Sequence, residues 1–214
     1  MSLPVAQQTI DRIRRYFRIP SRLGKGIKVP MVSRKHLPAL MLYLGFTQGA
    51  EIGVWRGAYS AMFCEVSPTI HMLCVDPWAS YQGWLDTKNA MPREEAEVFI
   101  EEAHQMARER LAPLNATIVR KFSTEAAQDV PDRSLDFVYI DGNHVFDAVM
   151  EDLTVWSTKV KSGGIVAGHD YRHFTNKPTI HVVEAVNTFT AQHKINPWWL
   201  LTRDKTPSFL WVKP

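Results

Sequence analysis

LDFVYIDGNH, residues 135–144, is a run of large apolar side chains that stops at Asp141 and gives way to Gly142, Asn143 and His144. Its β-branched and aromatic residues, apolar without polar alternation, predict a strand over Leu135 to Asp141 that is buried on both faces. SGGIVAGHDY, residues 162–171, repeats the arrangement: Gly164 to Gly168 predicts a second buried strand, followed by His169, Asp170 and Tyr171. Between them Val145, Val149, Leu153, Trp156 and Val160 recur at steps of three and four, which predicts a helix with one buried face. Strand, helix and strand in that order predict a parallel sheet.

The same alternation extends in both directions. Gly49 to Gly53, Ile70 to Asp76 and Ala116 to Phe122 read as earlier strands, with helices over Ala58 to Val66, Arg93 to Leu111 and Ser123 to Gln128. A helix over Ile180 to Gln192 precedes two β-rich runs, Trp198 to Thr202 and Ser208 to Val212. The few residues joining those runs cannot form a crossover, so the two must pair antiparallel. The expected fold is α/β, with seven strands and helices on both faces.

The chain has 214 residues, 45% hydrophobic and 22% charged, enough for one sizeable core and unlike a disordered or repeat protein. Cys64 and Cys74 lie in apolar patterns and suggest no disulfide framework. With no signal-peptide order and no apolar stretch near 20 residues long, a soluble, cytoplasmic protein is expected. The net charge of +3 is unevenly spread: Arg12 to Lys35 holds nine basic residues and no acid, which leaves the remainder at −6. Residues 1–35 therefore read as a basic N-terminal helical arm and 36–214 as the main domain.

Chemistry-bearing residues gather at the predicted strand ends. In Ala50-Glu51-Ile52-Gly53-Val54-Trp55-Arg56-Gly57, Gly53 permits a tight turn and close ligand approach, and Gly57 lets a helix begin against the strand. Asp76 ends the next strand, where a carboxylate can accept both hydroxyls of a ribose. Asp141 and Asp170 end two neighbouring strands, so their carboxylates should share either a proton or a cation. His144 is the first choice of general base and His169 the second.

Five parallel strands, a helix and a terminal hairpin resemble the class I S-adenosylmethionine-dependent methyltransferases, a Rossmann-like fold with strand order 3-2-1-4-5-7-6 and the last strand antiparallel. Glu51-x-Gly53-x-x-x-Gly57 resembles that family's first motif. Asp141-Gly142-Asn143-His144, Asp152-Leu153, Gly163-Gly164 and Gly168-His169-Asp170-Tyr171 resemble the pattern of methyltransferase family 24, over roughly Gln48 to Tyr171. The resemblance implies S-adenosylmethionine as cofactor, held by Glu51 at its ammonium group, Gly53, Gly57, Asp76 at the ribose, Ser123 at the adenine, and Asp141. Ser123 also reads as an ordinary helix cap. By likeness to catechol-type relatives, Asp141 and Asp170 would hold Mg²⁺ or another divalent cation, with a third ligand from His144 or His169. Tyr171 departs from those relatives, which have Asn after the acid.

Three other readings stand beside this one: a nicotinamide (NAD-dependent) oxidoreductase, a metal-dependent hydrolase, and a non-catalytic nucleoside-binding module. G-x-G-x-x-G is absent, which disfavours the first, and the hydrolase signature Asp-x-His is absent as well. The acceptor is expected to be a hydroxyl of a small molecule or glycosyl group. The aromatic loop Pro77 to Asp86, with Trp78, Tyr81 and Trp84, and the loop Tyr171 to Pro178 read as lids, and Trp198 and Trp199 hint at a flat or sugar-like acceptor. The basic arm reads as a cap on the acceptor site, a homodimer element or, less favoured, a nucleic-acid or membrane contact.

Overall fold

The computed structural model describes residues 3–21, 24–80, 92–175 and 180–214. In chain order its elements are helix α1 (Val5–Phe17), strand β1 (Ile27–Val29), a 3₁₀ turn (Arg34–His36), α2 (Leu37–Leu44), β2 (Gln48–Ile52), α3 (Ala58–Val66), β3 (His71–Val75) and α4 (Arg93–Leu111). There follow β4 (Ala116–Val119), α5 (Ser123–Gln128), β5 (Leu135–Ile140), α6 (Phe146–Lys159), β6 (Val160–Gly168), α7 (Val182–Gln192), β7 (Trp198–Leu201) and β8 (Ser208–Val212).

The strands form one sheet in the order β1-β7-β8-β6-β5-β2-β3-β4. Every neighbouring pair is parallel except those of β8, which runs antiparallel to β6 and β7. The order from β4 to β7 is the expected one, including the inverted last strand. The strand count is eight, not seven, because Ile27–Val29 adds to the edge parallel to β7. Three residues between Gly26 and Pro30 are too short for a periodicity to register; burial of Ile27 and Val29, and pairing with a strand far away in the chain, make them a strand.

Alternation along the strands divides the interior in two. Phe137 and Tyr139 face a core with α1, α2, α3 and α4, whereas Val138 and Ile140 face one with α5, α6 and α7. Trp198 and Trp199 are buried on opposite sides of the sheet, so they are core residues and not part of an acceptor surface. Cys64 and Cys74 are buried free thiols whose ionisation is held up by burial, to about 12 for Cys74. Helix α1 of the N-terminal segment is packed into the same body: Ile13 is fully buried, and Arg12 donates to the Tyr43 and Leu44 carbonyls at the end of α2. Among the described residues no helix is long and apolar enough to cross a membrane.

Candidate active site

Parallel register sets the strand ends side by side. Ile52 pairs with Val75 and with Ile140, and Ile140 with Gly168, so Gly53, Asp76, Asp141 and His169 leave the sheet along one edge. The chain order reverses between β2 and β5, and a crevice opens at such a switch point. Here it holds a cavity of about 510 Å³.

Gly53 (φ 90°) sits where the two halves touch: a Cβ there would lie 2.2 Å from the Asp141 carbonyl oxygen, and the Asp141 N–H donates to the Ile52 carbonyl at 2.7 Å. Only glycine fits. Gly57 (φ 73°) precedes α3 and lies outside the cavity lining; a Cβ there would press on Ala107 and Leu111 of α4. Glu51 is also outside the lining, 2% exposed, and accepts a hydrogen bond from the Ser60 hydroxyl. Burial pushes its carboxyl up to about 8.

Asp76 lines the cavity with both oxygens engaged by backbone. Oδ2 accepts from the N–H groups of Val54 (3.0 Å) and Trp55 (2.9 Å), and Oδ1 from that of Trp78 (2.8 Å). Those bonds clamp two loops containing Trp55 (φ 51°) and Trp78 (φ 38°), a left-handed backbone unusual for such side chains. Burial raises its pKa against the pull of these bonds. Oδ2 is filled by its two N–H donors, whereas Oδ1 keeps one lone pair for a ligand. The Trp78 indole N–H donates to the Trp55 carbonyl at 2.8 Å, so Trp78 is a fixed wall of the cavity. Tyr81 and Trp84, like residues 176–179 of the second loop, lie outside the described residues.

At the adenine position the resemblance assigned, Ser123 is not a helix cap; α5 is preceded by Phe122, and the Ser123 side chain turns to the cavity wall. Its hydroxyl accepts from the Trp156 indole N–H at 2.8 Å and donates to Asp152 Oδ1. Asp152 lines the cavity from α6, and burial pushes its carboxyl up to about 7. Sequence reading gave Asp152 no role, although it fell in the quoted Asp-Leu pair.

In the same cavity lining Asp141, His144 and Asp170 converge, each offering one ligand atom, all within 4.8 Å of one another. His144 Nε2 is 2.7 Å from Asp170 Oδ2 and 3.7 Å from Asp141 Oδ1, a buried nitrogen aligned as a hydrogen bond with neither. Burial lowers the His144 pKa, but the carboxylates outweigh it and hold it up at about 9. Asp170, at a left-handed φ of 55°, is raised by burial yet held well below the usual carboxylate range by His144 and His169. His169 Nδ1 lies 3.0 Å from Asp170 Oδ1 and flanks the cluster. Sequence reading missed Arg34, whose Nη1 donates to Asp141 Oδ2 at 3.0 Å.

A family model described as a methyltransferase domain matches residues 50–171. The chain belongs to that family. It has the class I S-adenosylmethionine-dependent methyltransferase fold, as solved structures show. An O-methyltransferase from Bacillus cereus, solved in complex with SAH, is 14% identical with a TM-score of 0.60, covering 98% of this chain and 90% of that one. The O-methyltransferase NovP is 18% identical with a TM-score of 0.61, covering 84% and 77%. The uncharacterized protein y4gI of Sinorhizobium fredii is 36% identical over 53 residues, so the methyltransferase chain spans 25% of itself and 6% of that relative in the match. The matched region begins at Ala50 and so leaves out Arg34, although its guanidinium reaches the same cluster.

Proposed function

We propose that the methyltransferase transfers the methyl group of S-adenosylmethionine to a hydroxyl oxygen of a small molecule or glycosyl group. The observation that carries this reading is one cavity whose lining brings together Asp76, Ser123 and Asp152 with Asp141, His144 and Asp170. The remaining lone pair of Asp76 Oδ1 suits a ribose hydroxyl, and the polar wall of Ser123 and Asp152 suits an adenine edge. A cluster of carboxylates favours a cationic sulfonium near the reacting end.

The residues at the acceptor end also fit a divalent cation. Two carboxylates and an imidazole nitrogen with no aligned hydrogen bond are a donor set for Mg²⁺ or Mn²⁺, with His144 as the third ligand. Such an ion, when bound, supplies charge that lowers the pKa of an acceptor hydroxyl. Without an ion His144 is less suited to act as a lone general base, because the carboxylates keep it protonated near neutral pH, and a bound cation would have to displace that proton. Its place between Asp141 and Asp170 instead orients both, and His169 steadies Asp170 from the other side. Trp78 and Trp55 exclude water from the donor end.

Calorimetric titration with S-adenosylhomocysteine and with NAD tests the donor: saturable binding of the former and none of the latter is expected, and the reverse overturns the reading. A panel of hydroxylated acceptors, assayed after chelation with and without restored Mg²⁺, tests the acceptor end. Methyl transfer that survives chelation unchanged would remove the metal from the scheme.

A further inference from the structure

Arg34 is the feature that the family comparison leaves unexplained. It lies before the matched residues, yet its guanidinium reaches Asp141 across 107 positions of sequence. Its backbone is fixed at both ends: the N–H donates to Asp204 Oδ2 at 3.1 Å, and the carbonyl accepts from the Tyr59 hydroxyl at 2.8 Å. The guanidinium carbon stands 5.0 Å above the centre of the Tyr59 ring. Three residues distant in sequence, Asp204, Tyr59 and Asp141, therefore hold Arg34 by its backbone and its guanidinium, which distinguishes it from a surface arginine that meets a carboxylate by chance.

The two oxygens of Asp141 face different neighbours. Oδ2 is taken by Arg34, whereas Oδ1 points toward His144 and His169, at 3.7 and 3.9 Å. An ion bound at Oδ1 would share the carboxylate with a guanidinium that cannot lose its charge. Two cations across one carboxylate repel, and in a partly buried site this repulsion exceeds the benefit of holding a single rotamer in place.

We propose that Arg34 is a positioning residue of the acceptor site, a built-in positive charge that fixes Asp141 and weakens the affinity of the Asp141–His144–Asp170 cluster for a divalent cation. Arg34 thereby ties the N-terminal segment to the chemistry. The inference rests on the proposed acceptor-end role of that cluster.

The test is Mn²⁺ binding to the full-length protein, followed by loss of the free-ion electron paramagnetic resonance signal, with no donor or acceptor present. Arg34→Met and Arg34→Gln remove the charge, and glutamine keeps a donor for Asp141. Each is expected to bind Mn²⁺ about ten-fold more tightly than wild type, while Arg34→Lys stays within about three-fold of it. Mn²⁺ bound equally by all four proteins overturns this inference alone. No Mn²⁺ bound by any of them overturns the metal reading beneath it as well. If only Arg34→Lys folds, judged by thermal melting and S-adenosylhomocysteine binding, Arg34 is a structural residue and the proposal is wrong.

Discussion

Asp76 and Asp152 are both buried acids on the cavity wall, but their surroundings assign them different work. Asp76 is held at both oxygens by three backbone N–H groups, so its orientation is set before any ligand arrives. Asp76→Ala should weaken S-adenosylhomocysteine binding at least ten-fold in calorimetry and also loosen the Trp55 and Trp78 loops; unchanged affinity would displace the ribose from this position. Asp152 has one oxygen on Ser123, and Ser123 in turn on Trp156. Asp152→Ala leaves a buried hydroxyl with one partner fewer, for an expected loss of about 1–3 kcal/mol in denaturant melts. Glu51 makes a pH prediction. Its pKa is higher folded, about 8, than the ordinary 4.5, so the folded state binds the extra proton and stability falls as pH rises from 4.5 to 8. Glu51→Gln should make that decline shallower, measured as melting temperature against pH. An unaltered slope would mean that the carboxyl is not buried as described.

At the scale of elements, local pattern was enough wherever an element was long or regular. Ala58–Val66, Arg93–Leu111, Ser123–Gln128 and Ser208–Val212 have the bounds that periodicity and composition predict. β6 departs from expectation, beginning at Val160 directly after α6 rather than at Gly164. Lys161, Ser162 and Gly163 do not read as strand residues, and their conformation comes from neighbours: the Gly163 N–H donates to the Lys213 carbonyl, and Leu135 pairs with Val160. β1 is the stronger case, since its three residues are a strand only because β7 offers an edge. α1 carries the same lesson at its buried face. Ile13→Ala should cost about 2–4 kcal/mol by denaturant unfolding, as for a core isoleucine; a loss under about 0.5 kcal/mol would make the helix an appendage.

Over the whole molecule, the uneven charge read from the sequence has a structural counterpart. Arg12 engages the end of α2 and Arg34 engages Asp141, so part of the basic segment is spent inside the body rather than displayed to a partner. Removal of residues 1–35 would uncover the β7 edge and the core around Ile13, and is expected to give insoluble or poorly melting protein rather than a free domain. The sequence by itself determined the α/β class, the strand order through its family resemblance, and the acids and glycines at the strand ends. These follow from period, turn chemistry and position along the chain, which are local properties. Tertiary structure alone decided that His144 completes a triad with Asp141 and Asp170, that Ser123 answers Asp152 instead of capping a helix, that Trp198 and Trp199 belong to the core, and that Arg34 crosses to Asp141. Each of these depends on side chains distant in sequence or on which way a loop turns, and only packing of the complete sheet brings such groups within bonding distance.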